Sequence, residues 1–352
     1  MKLEKLKEVA HNILTEEIKN NKLDVNFKVL TIEELDKFRK LYEINKNAND
    51  CFYSEKENTI VIVINEKEDL DLENLYDLVS ACFHEIRHVI QKSFPQNSYE
   101  GFFNKIDYIN SFNYFDYDKI SHDGYSFEIG ANLYSIKKTK EYLKNNQPEA
   151  FNKYNEEIDI IEQIYKCEYL LYNAPSRFNI FMSNFKKHLK MGLIRWSNQK
   201  KQGNQDIIIP DILEIFLNYD GTFKPINQII NHENFNKIDK RIIYSIFSSK
   251  AFLKSININK ISKYELLLVE EALNYTKLLN QKQLVWRKDL LENRKKLHNY
   301  RIKNKNAHSG NLYRDLLLYG IRFNNFYKKD SEFFRKIVLK RIYYKLNKKM
   351  KI

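Results

Sequence analysis

Cysteine, proline and glycine are scarce in this 352-residue chain, at three, five and eight residues. Cys51, Cys82 and Cys167 are too few and too widely spaced for a disulfide framework, and they suit a reducing cytosol. The eight glycines form no Gly-rich phosphate loop. No 18-residue apolar run occurs and the mean hydropathy is −0.60, which excludes a membrane-spanning helix. The opening Met1-Lys2-Leu3-Glu4-Lys5-Leu6 is a charged amphipathic segment without an apolar h-region, so it does not read as a secretory signal. Internal repeats and a recognisable helix-turn-helix are also missing. These absences point to a cytoplasmic protein long enough for two or three domains.

What is present begins with His84-Glu85-Ile86-Arg87-His88, an HExxH pentapeptide. Four-residue spacing on a helix puts both imidazoles on one face, about a turn apart, where two ring nitrogens can grip one Zn²⁺. Glu85 then stands beside the metal rather than on it, placed to take a proton from an activated water. The local pattern supplies the helix. Leu72, Leu75, Val79, Cys82, Ile86 and Val89 or Ile90 fall at three-to-four spacing, Asp69 or Asp71 is available as an N-cap, and no Gly or Pro intervenes before Pro95. Cys82 lies on the apolar face as a small core residue. Arg87 points from another face and is expected to make a structural salt bridge.

A catalytic zinc needs a third protein ligand and an open fourth position. The HExxHxxGxxH option fails, because residues 89–94 read Val-Ile-Gln-Lys-Ser-Phe. The alternative is a glutamate on a later helix. Glu128-Ile129-Gly130-Ala131-Asn132 offers Glu128 as ligand and, one turn on, Asn132 to orient a ligand histidine. Gly130 and Ala131 are small enough for close packing against the metal helix. His122 is the rival ligand and Asp123 a weaker one. For the donor that stabilises the tetrahedral oxygen, the spacer offers Tyr108, Tyr114, Tyr117, His122 and Tyr125, with His122 and Tyr125 favoured as catalytic helpers.

A strand, then HExxH, then a loop, then Glu-x-x-Ala-Asn resembles the minimal gluzincins of the ImmA/IrrE type over roughly residues 20–145. That resemblance implies a Zn²⁺-dependent peptidase domain, often one that cuts a repressor or other regulator of a mobile element or stress response. It implies His84, His88 and Glu128 as ligands and Glu85 as general base. The fold expected is α+β: a helix at about 2–20, a strand at 25–30, a helix over 31–42 opened by a Thr31/Glu34 capping box, a strand at 52–65 and the metal helix at 70–92. One sheet edge would be open to an extended substrate strand.

Charge divides the chain. Residues 1–150 carry 20 Lys/Arg against 27 Asp/Glu, whereas residues 151–352 carry 39 against 19, a net +20. The terminal stretch 331–352 holds eight basic residues and one acidic, interleaved with Phe333, Phe334, Tyr343, Tyr344 and Leu346. Such a segment suits phosphates and stacked bases, or an anionic surface. A composition rich in Lys, Asn, Ile and Tyr throughout, with Arg the minority cation, produces the same charge without any partner. After Pro148 the pattern is helical, with apolar stripes at Ile158/Ile161/Ile164/Tyr169 and Phe178/Phe181/Phe185/Leu189, and one long helix or two antiparallel ones over 262–303. The domains expected are a zinc peptidase at 1–147 and a basic all-helical accessory domain at 148–352. The function expected is hydrolysis of a peptide bond in a protein substrate. The alternative is a regulatory or nucleic-acid-binding protein in which the zinc domain senses or merely stabilises.

Overall fold

A computed structural model describes residues 3–35, 37, 51–54, 57–65, 72–111, 124–199, 207–257 and 260–303. His122, Asp123, Tyr114, Tyr117, Asp69, Asp71 and the basic stretch 331–352 lie outside them. The chain forms two compact units, Met1–Tyr172 and Asn173–Ile352, and its class is α+β: mostly helical with a small mixed sheet.

The first unit opens with α1 (Leu3–Asn20), whose Leu6, Val9, Ala10, Ile13 and Leu14 are buried at helical spacing. Strand β1 (Asn26–Thr31) follows. The capping box forms as the sequence predicts: Thr31 N–H donates to Glu34 Oε2 at 2.7 Å, and Glu34 N–H donates to Thr31 Oγ1 at 3.2 Å. The expected strand over 52–65 is instead a hairpin, β2 (Phe52–Ser54) and β3 (Thr59–Ile64). Asn58, at φ 46°, makes the turn, a left-handed conformation that asparagine tolerates.

The sheet order is β1-β3-β2, with β3 parallel to β1 and antiparallel to β2. A central strand is covered on both faces, which explains the uninterrupted β-branched run Ile60-Val61-Ile62-Val63-Ile64. Leu35 and Val61 form a buried cluster on one face, with Leu30, Phe52 and Val63 packed around them.

The helix that carries the pentapeptide is α2 (Leu72–Lys92). The spacer after it is not the loop that the sequence suggests but begins as a helix, α3 (Tyr99–Ser111). Ser98 Oγ accepts from Gly101 N–H at 3.2 Å as its cap, and Phe102, Phe103, Ile106 and Ile109 are buried at three-to-four spacing. Gly101 is obligatory, because a Cβ there would lie 2.2 Å from the Pro95 carbonyl oxygen. Helix α4 (Ser126–Asn146) carries Glu128, and α5 (Pro148–Leu171) packs beside it.

The boundary therefore falls after Tyr172 rather than at 147/148. The apolar face of α5, with Tyr154, Ile158, Ile161 and Ile164, is spent on this unit. Tyr154 stacks on Tyr76 of α2 at 5.8 Å, and Lys140 of α4 pairs with Asp159 and Glu162 at 2.7 and 3.1 Å.

The second unit has an aromatic core. On α6 (Ala174–Lys190), Phe178, Phe181 and Phe185 are buried with Trp196, Phe216, Phe247 and Phe252, which accounts for the phenylalanine stripe as core. It is not purely helical: β4 (Ile194–Arg195) and β5 (Ile207–Ile208) pair in parallel. Residues 262–303 resolve as one helix, α7 (Lys263–Lys303), opened by a Ser262/Glu265 capping box. No helix among the described residues is long and apolar enough to cross a membrane.

Candidate metal centre

Two helices build the site. On α2, His84 and His88 project from one face with their Nε2 atoms 3.0 Å apart. Across from them, in the first turn of α4, the buried Glu128 carboxylate places Oε2 3.2 Å from His84 Nε2 and Oε1 3.5 Å from His88 Nε2. A negative side chain in a first helical turn is also favoured by the helix dipole. The two helices approach closely because small side chains line the contact: Ser135 Oγ donates to the Ser80 carbonyl at 2.7 Å, and Ala131 is fully buried.

Glu85 is buried as well, and its carboxylate belongs to the same cluster, with one ligand-type atom from each of His84, Glu85 and His88 within 4.8 Å of the others. Both glutamates are thus near the imidazoles. The 3.2 and 3.5 Å contacts of Glu128 make it the candidate third donor. The donor set fits a divalent zinc. Ligands held at 2.0–2.1 Å in a tetrahedron lie roughly 3.3 Å from each other, and the three Nε2/Oε separations here run from 3.0 to 3.5 Å.

The electrostatics follow from burial among carboxylates. Burial alone would lower the pKa of His84, but its hydrogen bond to Glu128, the charges of Glu85 and Glu128, and a hydrogen bond with Asn132 raise it overall. Asn132 thus touches a candidate ligand histidine, one turn beyond Glu128. Burial pushes the Cys82 thiol well up, with Cys51 and Glu85 adding to it, so Cys82 is an inert core residue.

Arg87 pairs with Glu100 of α3 at 3.0 Å, and its guanidinium lies 4.8 Å from the Phe94 ring and 5.2 Å from the Tyr134 ring. This is a structural bridge, away from the ligands. Tyr125 occupies the N-cap position of α4, buried, and stacks at 5.4 Å on Phe127, which meets His88 edge-on at 6.1 Å. Tyr125 is therefore one ring removed from His88. Tyr108 lies on α3 beneath Lys105, 5.1 Å from its ring centroid.

Two residues that the sequence reading passed over hold the site together. Gln91, one turn beyond His88, sits with Oε1 3.1 Å from His88 Nδ1, and its Nε2 donates to the Phe127 carbonyl at 2.8 Å. Asp107, fully buried on α3, accepts from Ser126 N–H at 2.7 Å and from Tyr172 Oη–H at 2.9 Å. Nearby, Asn104 Oδ1 accepts from Ser126 Oγ at 2.8 Å. Side chains from α3 therefore supply the capping acceptors that Tyr125 lacks, and α4 starts where Glu128 needs it. Gln91 was legible as the next residue on the ligand face, whereas Asp107 lay in a segment read as loop. Comparison with protein-family models, with curated proteins and with solved structures returns no match.

Proposed function

We propose that this chain is a zinc-dependent metallopeptidase of the gluzincin kind, acting in the cytoplasm on a protein substrate. One observation carries the reading: the Glu128 carboxylate, forty residues from the pentapeptide, meets both His84 and His88 at Nε2. A chance HExxH has no reason to find a buried carboxylate aligned on both imidazoles.

In this reading His84, His88 and Glu128 hold one Zn²⁺ per chain. Zinc, when bound, supplies Lewis-acid polarisation and lowers the pKa of a water to about 7. Glu85 accepts the proton of the attacking water on its carboxylate and hands it to the leaving amine nitrogen. Burial of Glu85 keeps that transfer out of bulk solvent. Asn132 orients His84. Among the described residues the short strand β2 is a sheet edge in contact with α2, where an extended peptide would add as a further strand.

The test is zinc content per chain together with cleavage of a mixed unstructured peptide library, read by mass spectrometry, for wild type and Glu85→Gln. Wild type should hold one zinc and cleave. Glu85→Gln should hold one zinc and lose cleavage by several orders of magnitude. A wild type without bound metal overturns the class, and full activity in the variant overturns the mechanism. A second reading, a regulatory or nucleic-acid-binding protein, is favoured by the +20 charge of residues 151–352. It predicts steeply salt-dependent binding of an oligonucleotide by the full chain, and it replaces the first if zinc binds and no peptide is cleaved.

A further inference from the structure

We propose that Gln91 is the positioning residue of the centre, a single amide that fixes the tautomer of His88 and the seat of Glu128 together, and that Gly130 is the notch that admits it. This rests on the metal reading above for its consequence, though not for its geometry.

Each atom's hydrogen-bonding capacity sets the arrangement. A carbonyl oxygen only accepts, so the 2.8 Å contact to Phe127 O identifies the Gln91 atom there as the donating Nε2. The amide orientation is thereby set, and Oε1 is the atom facing His88 Nδ1 at 3.1 Å. Oε1 only accepts, so His88 Nδ1 carries the hydrogen and donates. A neutral imidazole has one N–H, which leaves the lone pair on Nε2, the atom directed at His84 and Glu128. Gln91 thus presents His88 in the form a metal requires.

The other half of the amide acts on Glu128. Phe127 immediately precedes it in the first turn of α4, so the Nε2 to Phe127 O bond ties that turn to α2 one residue from the carboxylate. The same Phe127 ring lies edge-on to His88. A Cβ built on Gly130 would come 2.8 Å from Gln91 Nε2, closer than such contacts occur. At this position the side chain missing from α4 is the space that the Gln91 amide fills.

The experiment uses the full chain and reads two quantities. In metal-free protein, ¹⁵N shifts of the His88 ring nitrogens report the tautomer. In metal titrations, chelator competition with Zn²⁺ reports affinity. Wild type should show His88 protonated at Nδ1. Gln91→Met, of similar length and without an amide, should lose that preference and bind zinc about 10- to 100-fold more weakly. Gln91→Glu should keep the tautomer, because an acceptor still faces Nδ1, yet weaken zinc through the lost Phe127 bond.

Gly130→Ala should weaken zinc about tenfold in wild type but by about twofold or less in a Gln91→Ala background, where nothing occupies the notch. Folding of each variant is checked by circular dichroism, and any that fails to fold is replaced in the comparison by the Gln91→Ala/Gly130→Ala pair. An unchanged His88 tautomer in Gln91→Met overturns the proposal, as does an undiminished Gly130→Ala penalty in the Gln91→Ala background. Absence of zinc binding by wild type overturns the metallopeptidase reading instead, and the tautomer measurement then still decides on Gln91.

Discussion

Replacing Asp107 should loosen the candidate site from a distance, and its cost can be worked from the contacts. Asp107 is fully buried and accepts from Ser126 N–H at 2.7 Å and Tyr172 Oη–H at 2.9 Å. A hydrogen bond to a charged partner is worth about 1.5–3 kcal/mol, and losing a helix N-cap acceptor costs about 0.5–2 kcal/mol. Asp107→Ala removes both contacts, so the sum is about 2–5 kcal/mol. For a unit of this size that corresponds to a fall in melting temperature of roughly 4–20 °C, at about 2–4 °C per kcal/mol. Tyr172→Phe removes the second contact alone and should cost about 1.5–3 kcal/mol. Asp107→Asn keeps an accepting oxygen and should fall between the two. The assay is thermal unfolding of the metal-free full chain, followed by zinc titration at a temperature where every variant is folded. Zinc affinity should fall in Asp107→Ala, because Glu128 rides on the turn that Ser126 begins, and should hold in Tyr172→Phe. A melt of Asp107→Ala within about 1 kcal/mol of wild type, or zinc affinity insensitive to it, refutes the chain of support from α3 to Glu128.

Three further outcomes are expected. Arg87→Met gives up the Glu100 pair and the packing over Phe94 and Tyr134; it should destabilise by about 1 kcal/mol in thermal unfolding yet leave zinc affinity within about twofold of wild type. His188 is buried in the second unit with its pKa lowered by burial and by Lys187, so the folded state prefers the neutral ring. Its share of stability is full above the ordinary value of 6.5 and is lost as the pH falls toward the depressed folded value. Urea midpoints of wild type relative to His188→Leu should therefore converge below pH 6 and separate above pH 7, and parallel curves would refute the assignment. Gly221→Ala places a side chain at φ +76° and 2.8 Å from the Phe185 ring, and a loss of about 1–3 kcal/mol in the same urea measurement is the expected result.

What the sequence made legible follows from where the information is local. The Thr31/Glu34 capping box and the helix under HExxH each rest on contacts within a few residues, and each forms as expected. The Glu128 and Asn132 pair was legible for a different reason: two polar residues one turn apart on a helix repeat the spacing of the pentapeptide. The misses are long-range. Nothing near Pro148 says that the apolar face of α5 is buried against α4 and α2 rather than in the helical half, and a Lys140 pair with Asp159 and Glu162 has no local signature. Helix α3 is an exception: Phe102, Phe103, Ile106 and Ile109 carry helical periodicity in a segment read as loop. His122 and the basic stretch 331–352 fall outside the described residues.

The contacts made by Gln91 and Asp107 converge on one turn. Ser126 is capped from α3, Phe127 is tied to α2, and Glu128 lies next in the chain, aimed at two imidazoles. Each tie fixes backbone rather than the carboxylate itself, so the side chain of Glu128 keeps only its own rotamers to lose when a metal binds. Ordering a long side chain costs about 1.5–2 kcal/mol, and ordering a residue of backbone about 1–2 kcal/mol more. A turn already held at two consecutive residues removes the backbone share of that cost, as a preorganised site requires. The three donor groups stand 3.0 to 3.5 Å apart. Loss of either tie should therefore appear as weaker zinc binding with a more unfavourable entropy, and calorimetry on Gln91→Met and Asp107→Ala would show it; a purely enthalpic loss in both would mean that the ties act on the ligand atoms and not on the turn.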